Sequence, residues 1–547
     1  MRNNMNKKGI VILCVLLTHF FAAFAQELPK IVENKNGVKQ LIVKGKPFIF
    51  LSGELNNSSS SNLDYLAPRM KNLSDRHLNS VIATVSWELF EPVEGKYDYK
   101  LVKGIIDQAR QNDLKLVFLW FGTWKNTWST YSPEWVKRDL ERFPRMQMKN
   151  GVNSGALSAF GENTRQADAK AFAALMKYIK EYDAKEQTVL MMQVQNETGL
   201  LGTARDRNDR AEKAFNQPVP DELLDYLDKN KETLIPEMKN MLKGRKTSKG
   251  STWQEVFGYG ASECFSAWHV STYVNEVTRS GKKEYNLPMF ANAWLDDSFS
   301  KDLVPNYPSG GPVSKMFDVW RVGAPDIDFF APDIYVDDFK RVCQQYTQSG
   351  NPLFIPEAAP KVVQAANVYY AIGMNAMCFA PFGIDNTFVP DKAVVLAESY
   401  KSLKGFLPFY SQHCGKGKSI PLLYTDKKTE EYSLGKYRIK IQYTQEYDEA
   451  KNIPPSAGLI LQVSEDEFYV CGFGMHVAFQ AITKAHDEGI FDNFGGPAMN
   501  NLSAEFILHD EGVFDNGVWK PARRMNGDEM AIQLMEPSIR RLIFHIY

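Results

Sequence analysis

The chain has 547 residues, 44% of them hydrophobic and 24% charged, with a formal net charge of -1. A chain of that length holds a large core and room for two domains, and its near-zero charge removes the electrostatic case for nucleic acid or an anionic membrane as a partner. Aromatic residues reach 12%, including 10 Trp, which suits a ligand with flat apolar faces such as a sugar ring, or simply a large core.

Residues 1–25 read as a signal peptide. Arg2, Lys7 and Lys8 form a basic start, Ile10 to Phe21 an apolar stretch, and Ala23-Phe24-Ala25 a small-x-small cleavage site before Gln26. The apolar stretch is short for a membrane span. Cys14 lies inside it after Leu13, where a lipid-attachment site calls for a small residue. The expectation is an exported chain, periplasmic or secreted, with no stable membrane insertion. The remaining cysteines are scattered without a CxxC, and the histidines without an HExxH. Neither a disulfide framework nor a metal ligand set is indicated, and the chain is expected to need no cofactor.

From residue 26 to 404, apolar strands alternate with helical patterns. Strand candidates are Phe48 to Glu54, Ser80 to Trp87, Leu114 to Phe121, Val189 to Glu197, Pro288 to Trp294, Asp326 to Tyr335, Pro352 to Glu357 and Ala376 to Gly383. Helical spacing appears over 63–73, 100–112 and 164–186. Eight such units predict a (β/α)8 barrel. The charged stretch 203–250, broken by Pro218 and Pro220, reads as an inserted lid or flank. From 405 to 547 strict alternation takes over, as in Tyr437 to Ile441 and Arg541 to Ile546. Turn signals at Asp515-Asn516-Gly517 and Asn526-Gly527-Asp528 lie between these runs. This predicts a C-terminal all-β sandwich.

The glutamates ending the fourth and seventh strand candidates stand out: Glu197, after Gln195-Asn196, and Glu357. The C-terminal ends of barrel strands are where such a fold places its chemistry. A carboxylate closing each of two strands is the pair a glycosidase needs, one residue to protonate the leaving oxygen and one to attack or activate water. The competing reading is a pair of carboxylates at helix N-termini, stabilised by the macrodipole. Asn196 can hydrogen-bond a sugar hydroxyl or cap the next helix.

These residues carry a resemblance. Asn-Glu ending the fourth strand and Glu ending the seventh resembles the clan-A glycoside hydrolases, retaining enzymes on a barrel. The run Trp87-Glu88-Leu89-Phe90-Glu91-Pro92-Val93-Glu94-Gly95-Lys96-Tyr97-Asp98-Tyr99, with Ser52-Gly53 and Gln193 to Glu197, is similar to family 35 β-galactosidases. Gly512 to Pro521 and Arg523 to Glu529 resemble the C-terminal β domain of a bacterial β-galactosidase-like subgroup. The resemblance implies a retaining exo-β-galactosidase acting on plant-type oligosaccharides, with Glu197 as acid and Glu357 as nucleophile. Relatives on the same scaffold include β-glucosidases, β-mannosidases, endo-glucanases and non-catalytic carbohydrate binders. The chain departs from the family after strand three, where Gly122-Thr123-Trp124-Lys125 replaces a galactose-binding Glu, and at Phe90, where many members have His.

Further candidates come from strand exits. Trp87, Trp124 and Trp294 suit a stacking platform or packing at the barrel mouth. Glu88, Trp124-Lys125 and Asn292 are candidates for the contact that the absent Glu would make, and Glu91-Pro92 is either contact or loop structure. The resemblance gives Tyr335 a hydrogen bond to the nucleophile. Asp385 and Asn386 line the pocket or make a turn.

Overall fold

A computed structural model describes residues 27–295, 306–385, 390–482 and 504–546. Expectations for the signal peptide and for Asn386 fall outside the described residues. No helix among the described residues is long and apolar enough to cross a membrane.

Eight parallel strands close on themselves. Strand one is Phe50–Leu51, extended by a bridge at Glu54. It is followed by Ser80–Ser86, Lys115–Lys125, Val189–Asn196, Met289–Trp294 and Phe329–Ile334, then Phe354–Ile355 with Glu357–Ala358 as one strand broken at Pro356, and Cys378–Phe379. Each pairs in parallel with the next, and the eighth pairs with the first, Cys378 against Phe50. Glu54 bridges both Ile82 and Phe382, which closes the ring near its C-terminal rim. The interior is filled by Phe50, Ile82, Leu119, Leu190, Phe290 and Phe354, and a small N-terminal antiparallel sheet adds Leu41 and Val43 to this cluster. It is therefore a packed core rather than a pore.

Pairing breaks register in strand three between Trp120 and Lys125. Gly122 permits the close approach there: a Cβ would lie 2.4 Å from Trp120 Nε1 and 2.6 Å from Asp168 Oδ1. Asp168, on the helix Glu162–Asp183, ties the two central strands together. It accepts from Trp120 Nε1 at 2.8 Å, Thr123 Oγ1 at 2.7 Å and Gln195 Nε2 at 2.7 Å.

The stretch after strand four is a flank, not a lid. Its helices Asp221–Lys229 and Pro236–Leu242 pack beside the helix Phe317–Gly323. There Asp318 accepts from Ile235 N at 2.9 Å and Tyr226 OH at 3.3 Å. Leu223, Leu224 and Leu227 join the main core, and burying that apolar face on the barrel side is what draws the segment away from the mouth.

The helix Pro390–His413 runs straight through position 405, so the change to β structure comes later, at Ser419–Leu423. From there two antiparallel sheets, of six and four strands, enclose a second core around Ile439, Ile441, Phe468, Phe479 and Phe544. Asn516 and Gly517, at φ 48° and 80°, make the tight hairpin between Ala504–Asp515 and Val518–Arg524, the geometry an Asn-Gly pair favours. The sandwich packs onto the barrel: Phe406 and Phe409 of the long helix meet Phe514, and Tyr369 meets Phe473.

Candidate active site

Glu197 and Glu357 are both buried at the C-terminal rim. Together with Asp333, at the end of strand six, they bring one carboxylate oxygen each to within 4.8 Å of one another. The chain reaches this arrangement through unusual backbone. Gln195 and Glu197 adopt φ of 66° and 46°, a region costly for non-glycine residues and concentrated at functional sites. Strict alternation ends there. Gln195 turns to the supporting network, donating to Asp168 and accepting from Trp124 N at 3.0 Å, while Glu197 joins the carboxylates. Asn292 fixes both sides, accepting from Glu197 N at 2.9 Å and donating to Asp333 Oδ2 at 2.6 Å.

A fourth carboxylate enters from strand one. Glu54 is fully buried, and neither oxygen has a hydrogen-bond partner. Burial, then the neighbouring Glu357, pushes its carboxyl well above the ordinary carboxylate range, against the pull of Lys125. Burial likewise raises Glu197, to about 8, with Glu357 adding and Lys125 opposing. Asp333 is raised by burial and then by Glu357, Glu197 and Glu54. Lys125 is the counter-charge. Burial disfavours its ammonium, but the carboxylates Glu357, Glu197, Glu54 and Asp333 outweigh that and raise it. Tyr335 donates its hydroxyl to Glu357, and burial followed by that carboxylate raises the phenol far above its usual value.

Polar atoms left without a partner converge here. They are both side-chain amide atoms of Asn196, one oxygen each of Glu197, Glu357 and Asp333, and both oxygens of Glu54. Each such atom costs about 1–3 kcal/mol when buried, a cost that a ligand rich in hydroxyl groups would remove. Among the described residues, the triad Glu197, Asp333 and Glu357 is the one acidic group spaced to hold a cation, and the ammonium of Lys125 already supplies positive charge beside it.

Of the residues singled out from sequence, Glu197, Glu357, Asn196, Lys125, Asn292 and Tyr335 lie at this rim. Trp294 ends strand five opposite Asp333 and is 37% exposed. Four others do different work. Trp87 is fully buried, donates to Glu91 Oε2 at 2.8 Å and packs edge-on against Trp135. The one-turn helix Trp87–Phe90 carries it under the loop that Glu91 closes through Gly95 N at 2.7 Å. Trp124 is buried against Tyr273, because the register break in strand three turns it outward. Glu88 pairs with Lys137 at 3.1 Å and lines a side cavity with Tyr131. Asp385 is a clamp: it accepts from Asn56 N at 3.0 Å, Asn56 Nδ2 at 3.1 Å and Ser59 Oγ at 2.5 Å, and its side chain is 0% exposed. Sequence reading missed Glu54 and Asp333. Both carried a signal: Glu54 ends the first strand candidate, and Asp333 is an acidic residue in an apolar strand two positions before Tyr335.

Two family models match the chain: a β-galactosidase family, glycoside hydrolase family 42, over residues 59–242, and a domain of unknown function (DUF5597) over residues 396–535. No curated protein sequence matches. Among solved structures, a cold-adapted β-galactosidase from Rahnella sp. R3 is similar at 15% identity and TM-score 0.43, covering 65% of this chain and 56% of that one. A β-galactosidase from the haloarchaeon Halorubrum lacusprofundi is similar at 13% identity and TM-score 0.44, covering 66% and 58%. The catalytic domain of a β-amylase from Paenibacillus polymyxa is similar at 12% identity and TM-score 0.42, covering 62% and 94%. The chain thus spans little more than half the length of these two β-galactosidases. The family model matched over residues 59–242 is thus a clan-A β-galactosidase family, family 42, where the sequence motifs pointed to family 35.

Proposed function

We propose that this protein is a retaining exo-β-galactosidase that removes terminal β-galactosyl residues from plant-type oligosaccharides. The observation that carries the reading is the close approach of the Glu197 and Glu357 carboxylates, with oxygens within 4.8 Å. Retaining enzymes separate the pair by about 5–5.5 Å, whereas inverting enzymes leave about 6.5–9.5 Å for a water. In the first step a Glu357 oxygen attacks the anomeric carbon. Its bond to the leaving oxygen breaks, and that oxygen takes the proton of Glu197. In the second step Glu197, now ionised, takes a proton from water. The water oxygen attacks the same carbon and releases Glu357 with the sugar in its original configuration.

The environments support the division of roles. Burial and a neighbouring carboxylate keep Glu197 protonated near neutral pH, which an acid needs. Tyr335 donates to Glu357 and holds the attacking group in place. Asn196 presents an unpartnered amide to the sugar hydroxyl beside the reacting carbon. Glu54 and Lys125 take over hydroxyl binding in place of the absent family Glu. Residues 1–25 direct export in this reading, which a mature N-terminus at Gln26 would support.

The test is a panel of nitrophenyl β-glycosides, with product analysis on a galactosylated oligosaccharide. Preference for the galactoside with release of galactose alone is expected. Preference for the glucoside or mannoside, or release of internal fragments, would overturn the sugar or the exo-action. Glu357→Gln should lower turnover by at least ~10³-fold.

A further inference from the structure

Burial is uneven around the barrel rim. On the side of strands one, three and four, Glu54, Lys125 and Asn196 are closed in. On the side of strands five and six, Trp294 is 37% exposed and Tyr335 44% exposed. Among the described residues, the open side is the one toward which a sugar bound to the closed side extends. There a cavity of about 670 Å³ begins at Tyr335 and runs between the exits of strands six and seven and the β-sandwich. It is large enough for several sugar units, within the range of ligand-binding clefts.

We propose that this groove binds the leaving-group part of the glycan, so that the C-terminal β domain forms one wall of the substrate site. The inference rests on the glycosidase reading above and deepens it. Three observations point to a carbohydrate rather than another occupant. Tyr335 belongs both to the groove and to the reacting centre, through its bond to Glu357. Asn367 lines the groove while 4% exposed, and its Oδ1 has no partner. Its Nδ2 is engaged by Gln364 Oε1 at 2.9 Å, and Gln364 in turn donates to Ala359 O at 2.8 Å, so the free oxygen is held as an acceptor for a hydroxyl. From the β domain, Tyr424 and Tyr447 supply rings to the same wall, the apolar faces on which sugars stack. The wall is fastened to the barrel on both sides, by Lys340 to Glu430 at 3.4 Å and by Val362 N to Glu449 Oε2 at 3.0 Å.

The experiment compares kcat/KM for β-1,4-galactotetraose with that for nitrophenyl β-galactoside, in the full-length wild type and in Tyr447→Ala and Asn367→Leu. Tyr447 is 43% exposed, so its ring adds little to the core; its hydroxyl also donates to Glu449 Oε2, one of the two fastenings, and a thermal melt checks both variants. The expected result is a fall of about tenfold in the ratio of tetraose to aryl glycoside for each variant. A ratio within about twofold of wild type in Tyr447→Ala, or a parallel loss on both substrates, would overturn the proposal. If the wild type prefers nitrophenyl β-glucoside, the sugar assignment fails. The same ratio is then measured with cellotetraose against that glucoside, and the groove is judged on it separately.

Discussion

At the residue scale, the site is an exercise in charge economy. Four carboxylates and one ammonium share a buried rim, and the carboxylates cannot all be ionised at once. Glu197 is the group whose proton the chemistry uses. Because burial holds it near 8, kcat/KM should fall on the alkaline side as pH rises through about 8, when the acid loses its proton. A pH–rate profile checks this, and Glu197→Gln should abolish the limb while lowering the rate on poorly activated substrates by about 10²–10⁴-fold. Glu54 makes a stability prediction of fixed sign. Its folded-state pKa lies well above its ordinary 4.5. The stability it contributes is therefore fully present below that pH and is lost as pH rises toward the folded value, because only the unfolded chain ionises freely. Glu54→Gln removes this loss. Its Tm should exceed that of wild type, by a margin that widens from acid to neutral pH; a margin independent of pH would contradict the account.

At the scale of elements, the strand ends matter more than the strands. Glu197 and Glu357 were legible because each closes an apolar run, and apolar runs show themselves in any sequence. Glu54 ends a strand candidate too, but Ser52-Gly53 separates it from the apolar run, and its importance depends on barrel closure, which sets strand one beside strand eight. The sequence left Trp124 open between stacking and packing for a related reason. One irregularity in a strand reverses the faces of the residues beyond it, and the register break before Lys125 leaves no mark in local periodicity. Asp385 shows how a strand-exit carboxylate serves structure instead. It holds the polar run after strand one, through Asn56 and Ser59, to the exit of strand eight. Asp385→Ala removes the acceptor that Asn56 and Ser59 share and should destabilise the protein by about 1–3 kcal/mol, measured by denaturant unfolding. No change in midpoint would show that the clamp carries no load.

At the scale of the whole molecule, the two-part architecture was legible from the switch between helical and alternating patterns. The boundary was not, because the helix Pro390–His413 belongs to both parts: it flanks the barrel and presents Phe406 and Phe409 to Phe514 of the sandwich. The largest core runs without interruption from barrel residues such as Leu175 to sandwich residues such as Leu459 and Phe473. An interface of that kind fixes the β domain in one place, which is what a wall of a binding groove requires. The central claim remains the two-glutamate displacement, and the configuration of the first product tests it most directly. Proton NMR of the fresh hydrolysate of nitrophenyl β-galactoside should show β-galactose before mutarotation. If α-galactose appears first, the reaction inverts, and the assignment of Glu357 as the attacking group is wrong.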